Sequence, residues 1–262
     1  MADPTGKTEP GGGPTSGAGD VKVSAPPPLF YRRPEPLNRD KHAGKGLRQP
    51  VNYRFAATSH AVVLHAEEFR LAAAHYPIVF ADDDTGLPVA VLGYAPGQNL
   101  FVDANGVWEP GAYIPAYVRR YPFASGRGTK DDELVLYIDA ASDLIVDVAT
   151  EPGAEAFLSH GEATERTRKA LEFCVAFQGQ VPITTAFVDE LKARDMLERR
   201  DVKLDSPESP QRQLSGLRII KEEAFKALPD DVFLEWRRRG WIGLVHWHWM
   251  SLDNFLRMSK RG

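Results

Sequence analysis

The chain has 262 residues, 43% of them hydrophobic and 26% charged, with a formal net charge of −4. That length can bury roughly three quarters of its unfolded surface, and the acidic balance argues against a general binder of nucleic acid or of anionic membranes. A single cysteine excludes an internal disulfide framework and a cysteine-based zinc site, and no run reaches the roughly 18 to 20 apolar residues of a membrane span.

Residues 1–28 are rich in Gly, Pro, Ser and Thr and almost free of large apolar side chains, so a disordered tail is expected. Met1 to Asp20 has neither a basic start nor an apolar core, so it does not read as a secretory signal, and a cytoplasmic protein is expected. Pro26, Pro27, Pro28, Pro34 and Pro36 extend the next stretch, making 29–51 a proline-rich lead-in to a single domain over 52–262.

From Asn52 to about Asp147 the pattern is mainly strand. The segments 61–64, 77–80 and 87–92 are apolar and bounded by turn residues, with a short helix between the first two over Glu67 to His75. Asp82 to Gly86 predicts a tight hairpin turn, Asp103 to Gly106 a second between 99–102 and 107–108, and Glu133 to Asp139 with Asp143 to Val148 a third strand pair. After Glu151 the period lengthens. Ser159 and Glu162 read as a capping box opening a helix with Ala170, Leu171, Cys174, Val175 and Phe177 on its core side. Pro182 and Thr184 or Thr185 start another, burying Phe187, Val188 and Leu191 and exposing Lys192, Arg194 and Arg199. Ser206 to Pro210 reads as a polar linker. Pro229, Asp230 and Asp231 open a helix that Arg237 to Arg239 complete and Gly240 stops. Trp241 to Trp249 then reads as a strand, and Ser251 caps a last helix ending at Met258. The fold class is α+β: a strand-rich meander of hairpins in the N-terminal half packed with a helical C-terminal half.

Of the chemistry-bearing patterns, His246-Trp247-His248-Trp249 is the most suggestive. On a strand both imidazoles share one face at a spacing that suits a metal ion. A third ligand is missing, however: Asp253 is the nearest acid and falls in a predicted helix, so packing of the tryptophans is the preferred reading. Asp84-Thr85-Gly86 matches the aspartic-protease tripeptide but occurs once, amid other turn acids. Cys174 lies in an apolar stripe beside Phe173 and Phe177, where a thiol is usually an inert hydrophobe. No phosphate-binding loop, nucleophile elbow or His-Glu-x-x-His motif is present, and no cofactor is expected. Tyr113, Tyr117, Arg119, Arg120 and Tyr121 combine aromatic faces with guanidinium forks, which suit an anion or a peptide; the competing reading is a core-covering helix with snorkelling arginines. Trp236, Trp241, Trp247 and Trp249 form either a core or an aromatic groove.

Several strings resemble the SapC family, named after a bacterial surface-layer gene cluster: His75-Tyr76-Pro77-Ile78-Val79-Phe80, Pro88 to Gly93, Asn99 to Asp103, Gly106-Val107-Trp108, Tyr113 to Phe123, Phe173 to Phe177 and Gly240 to Leu252. The resemblance runs from Asn52 to the end. It implies a link to surface-layer protein production or transport and supplies no catalytic residues. Such genes neighbour others for outer-membrane receptors, tryptophan-halogenase-like proteins and cupin-like oxygenases, which suggests an accessory role. The expectation is a non-catalytic cytoplasmic adaptor that binds a protein or peptide through Tyr113, Tyr117, Arg119, Arg120 and Tyr121. The alternatives are a metal-dependent oxygenase or peptide-modifying enzyme using His246 and His248, and an export factor for surface-layer protein.

Overall fold

The computed structural model describes residues 29–128, 134–206 and 209–260, and its framework is a set of antiparallel strands crossed by one long helix. The expected tail over 1–28 and two residues of the expected linker, Pro207 and Glu208, lie outside the described residues. The proline-rich stretch contributes two strands, β1 (Pro34–Pro36) and β2 (Lys45–Leu47), so 29–51 folds together with the residues C-terminal to it.

Next come β3 (Ala61–Val63), a short helix α1 (Phe69–Ala72), and the hairpin β4 (Ile78–Ala81) and β5 (Pro88–Val91). The hairpin forms where the turn acids predict it. Asp83 Oδ1 accepts from the Thr85 and Gly86 amides at 2.9 Å each, and Gly86 takes a φ of +59°. Around Asp103, by contrast, only one bridge forms, Val102 to Trp108, with Asp103 Oδ1 holding the Asn105 and Val107 amides.

The third expected strand pair is corrected. After α2 (Ala116–Arg119) run β6 (Phe123–Arg127), β7 (Leu134–Asp139) and β8 (Ile145–Asp147); β7 lies between β1 and β6, whereas β8 pairs with β2. The two strands were close in sequence but were claimed by partners from the N-terminal stretch. Strand β9 (Glu155–Ala156) completes the β8-β2-β9 sheet.

Ser159 and Glu162 do not cap a helix. They belong to a small hairpin, β10 (Leu158–Ser159) and β11 (Glu162–Ala163), whose turn puts His160 at φ +52° and Gly161 at +77°. Thr164 is the actual cap: its Oγ1 accepts from the Thr167 amide at 3.3 Å. It opens α3 (Glu165–Ala193), a single helix of 29 residues that runs through Pro182, where a break was expected. Phe187, Val188 and Leu191 are buried as expected, but Val175 is exposed.

A long hairpin follows, β12 (Leu197–Ser206) and β13 (Ser209–Ile220), in place of the linker expected between helices. Arg199 is therefore on a strand, its Nε 2.8 Å from Asp82 Oδ2. Strand β13 pairs with β4 and completes the sheet β12-β13-β4-β5-β3. Helices α4 (Glu222–Lys226), α5 (Asp230–Arg239), α6 (Trp241–Ser251) and α7 (Asn254–Met258) close the chain. Gly240 ends α5 at φ +75°, a left-handed stop that glycine adopts without strain. The expected strand at Trp241 to Trp249 is a helix, α6, and Ser251 is its last residue instead of a cap. Apolar on nearly every side, the segment satisfies a buried helix as readily as an alternating strand.

Two cores result. The larger gathers Phe69, Ile78, Phe80, Phe187, Trp236 and Val245 between the five-stranded sheet and the C-terminal helices. The smaller gathers Tyr31, Leu47, Tyr121, Phe123, Ile138 and Cys174 around the short sheets. Helix α3 joins them, with Cys174 in one and Phe187 in the other.

Candidate functional site

The aromatic and cationic segment crosses the middle of α3. Its anchor is Glu68, which sequence reasoning missed: Oε1 accepts from the Ala116 amide at 2.6 Å and from the Tyr113 hydroxyl at 2.9 Å, and Oε2 from the His65 amide at 2.9 Å. Burial pushes the Glu68 carboxyl above its ordinary value against these three hydrogen bonds. Tyr113 is pushed up to about 12, first by burial and then by the Glu68 carboxylate.

The five residues expected to face a partner divide into two groups. Tyr117, Arg120 and Tyr121 are buried, whereas Tyr113 is half-buried and Arg119 exposed. Tyr117 donates to the Leu29 carbonyl at 3.1 Å and Tyr121 to Asp139 Oδ2 at 2.9 Å, tying the segment to the start of the described chain and to β7. Arg120 is 7% exposed and lies among rings, its Cζ 4.3 Å from the Tyr117 centroid, 4.4 Å from Phe177 and 5.5 Å from Tyr31. Its Nε has no hydrogen-bond partner. Arg119 donates from Nε to the Ile114 carbonyl at 2.9 Å and lies over Phe173 of α3 at 5.2 Å.

Two hollows open on either side of that Arg119–Phe173 contact, and both residues line both. The first, about 340 Å³, has apolar walls including Leu47, Val118 and Phe123, and four cations, Arg119, Arg120, Arg166 and Lys169. The second, about 580 Å³, brings His65, Glu67, Glu68 and Tyr113 together with Phe177. Volumes of this size suit small ligands or short peptide segments. His65 is 5% exposed. Its Nδ1 faces Thr184 Oγ1 at 3.3 Å, its Nε2 has no partner, and burial lowers its pKa to about 4, so the ring is neutral. The recognisable signal for this part was the pair of acids after His65, since Glu68 closes a capping box on that residue. Arg166 and Lys169 carried no signal beyond helical spacing.

The shared face expected of His246 and His248 is corrected, because the segment is a helix. Two positions apart on a helix, side chains point to nearly opposite sides. His248 is completely buried, while His246 is exposed and hydrogen-bonds within its own helix, Nδ1 to the Ile242 carbonyl at 2.7 Å. Among the described residues no group of three or more His, Cys, Asp or Glu is placed to hold a metal ion. Cys174 is 1% exposed and burial pushes its thiol up to about 11, the state of a packing residue. Asp84 belongs to the turn, its carbonyl accepting from Lys192 Nζ at 2.6 Å. Trp236 and Trp241 are buried in the larger core, with Trp247 and Trp249 packed against it. No helix among the described residues is long and apolar enough to cross a membrane.

With this geometry in view, a family model described as SapC matches residues 37–258, and the chain belongs to the SapC family. No curated protein and no solved structure matches it.

Proposed function

We propose that this SapC-family chain is a non-catalytic cytoplasmic accessory protein that binds a protein or peptide partner in the two-lobed groove around Arg119 and Phe173. One observation carries the reading: an exposed guanidinium stacked on an aromatic ring divides two open hollows, each combining apolar wall with unsatisfied polar edge. Such a surface offers shape, hydrophobic contact and directed hydrogen bonds to an extended segment. Tyr117, Arg120 and Tyr121 support it from below by fixing the course of α2 against α3. The surface-layer association implied by the family resemblance directs the search for a partner to envelope proteins and the machinery that makes them.

The test is affinity purification with the wild-type chain and with an Arg119→Glu, Phe173→Ala double variant. A partner recovered only by the wild type, and rebinding it after both are purified, is the expected result, with thermal melts of the two chains alike. Equal recovery by both overturns the groove assignment.

A further inference from the structure

We infer that the groove reads a carboxylate: an acidic side chain of a peptide, carried beside an apolar residue, seats in the hollow lined by Arg119, Arg120, Arg166 and Lys169. This rests on the proposed peptide-binding function and names what that function selects.

Charge is the first ground. Four cations and no acid line the hollow. Two of them have partners at its lip, Arg166 with Glu155 at 3.0 Å and Lys169 with Glu165 at 2.6 Å, but these are exposed pairs of the kind that exchange readily with another anion. Arg119 and Arg120 make no ion pair among the described residues. A guanidinium as deeply buried as Arg120 is costly without a counter-charge, and ring faces offset only part of that cost.

Orphaned nitrogens are the second. Arg120 Nε–H is buried without an acceptor. Against the same Phe177 ring, 4.2 Å between centroids, lies His65. Thr184 Oγ1 accepts from the Ala66 amide at 3.0 Å and lies 3.3 Å from His65 Nδ1, while His65 Nε2 is buried without a partner. Two buried nitrogens against one ring thus lack partners, and the Arg120 one can only donate. A carboxylate supplies charge and an acceptor to the first hollow, and the backbone of the segment that bears it, with a carbonyl and an amide, supplies a partner to the second. The apolar walls Leu47, Val118 and Phe123 favour a monoanion with an apolar neighbour over a heavily hydrated phosphate.

The experiment measures fluorescence anisotropy of the full chain with a blocked hexapeptide carrying one glutamate between phenylalanines, and with its glutamine counterpart. The glutamate peptide should bind about tenfold or more tightly, as a charge-assisted hydrogen bond predicts. That preference should shrink with salt and in Arg119→Gln and Arg166→Gln, whose melts should match wild type; Arg120→Lys, which keeps charge but loses the fork, should also weaken it. Equal binding of the two peptides, abolished by Phe173→Ala, overturns the carboxylate inference and leaves the groove intact. No binding of either peptide, nor of any from a random library, overturns both. Displacement of the glutamate peptide by phenylacetate supports the carboxylate chemistry with a free acid as its source, whereas displacement by inorganic phosphate alone overturns it.

Discussion

His248 on α6 donates from Nδ1 to the Ile78 carbonyl on β4 at 2.8 Å, while its Nε2 accepts the Ile220 amide at the end of β13 at 3.1 Å. One neutral imidazole thus closes backbone groups of two neighbouring strands from a helix packed over them. Ser251, one turn later, accepts the Ile78 amide at 2.9 Å. His248→Ala strands a buried carbonyl and a buried amide and leaves a cavity, so a loss of about 3–5 kcal/mol is expected in urea unfolding. His246→Ala should cost under about 1 kcal/mol, as an exposed residue should. Similar losses for the two would contradict the opposite placement of these imidazoles.

The same burial sets a pH dependence. His248 falls from 6.5 in the unfolded chain to about 4 in the fold, because burial disfavours the imidazolium. Between those values the unfolded chain takes up a proton that the folded chain refuses. Stability from this group is therefore complete above about pH 6.5 and is lost as pH falls toward 4, by about 3 kcal/mol. His65 shifts the same way and adds to the slope. Glu68, raised by burial, runs oppositely and offsets part of it. Urea midpoints taken from neutral to mildly acidic pH should fall steadily, and His65→Asn should flatten the fall. A midpoint constant over that window would show that neither ring is held neutral.

Cys174 should be silent. Its thiolate is disfavoured by burial and its sulfur is out of solvent, between α3 and the Tyr31–Phe123 core. A disulfide reagent should label the native chain at the rate of global or local opening only, and label it fully in concentrated guanidinium. Rapid stoichiometric labelling of the folded chain would require an opening onto the Cys174 sulfur that the packing does not contain.

What the amino-acid pattern made legible was local, and what it hid was pairing at a distance. The Asp83 turn and the Gly240 stop depend on residues within four positions, and both form as read. The β7 and β8 strands exist as read, yet each pairs with a segment about a hundred residues away. The β12–β13 hairpin was hidden by its charges: Arg199, Arg200 and Arg218 interrupt any apolar alternation, while Arg199 and Arg218 are held by Asp82 at 2.8 and 2.6 Å. In the site, the aromatic and cationic run was visible, but not that Arg120 turns inward while Arg119 stays out. That division depends on α3 setting Phe173 against Arg119, the last residue of α2, and Phe177 against Arg120, its C-cap, a tertiary fact.

Pro182 makes the continuity of α3 testable. In mid-helix it has no N–H to return to the Gln178 carbonyl, and its ring crowds that carbonyl, a defect of about 3 kcal/mol in a regular helix. It is exposed, so packing against the ring offers little compensation. The helix persists because both halves are pinned, Cys174 and Phe177 on one side of the proline and Phe187, Val188 and Leu191 on the other. Pro182→Ala should restore the bond and, after the greater freedom of the unfolded chain is subtracted, stabilise the protein by about 1–2 kcal/mol. For a domain of this size that is a rise of about 2–6 °C in Tm. A fall in Tm instead would mean that the two cores need a bend at this position, and that a straighter α3 pulls Phe173 and Phe177 away from the arginines they cover.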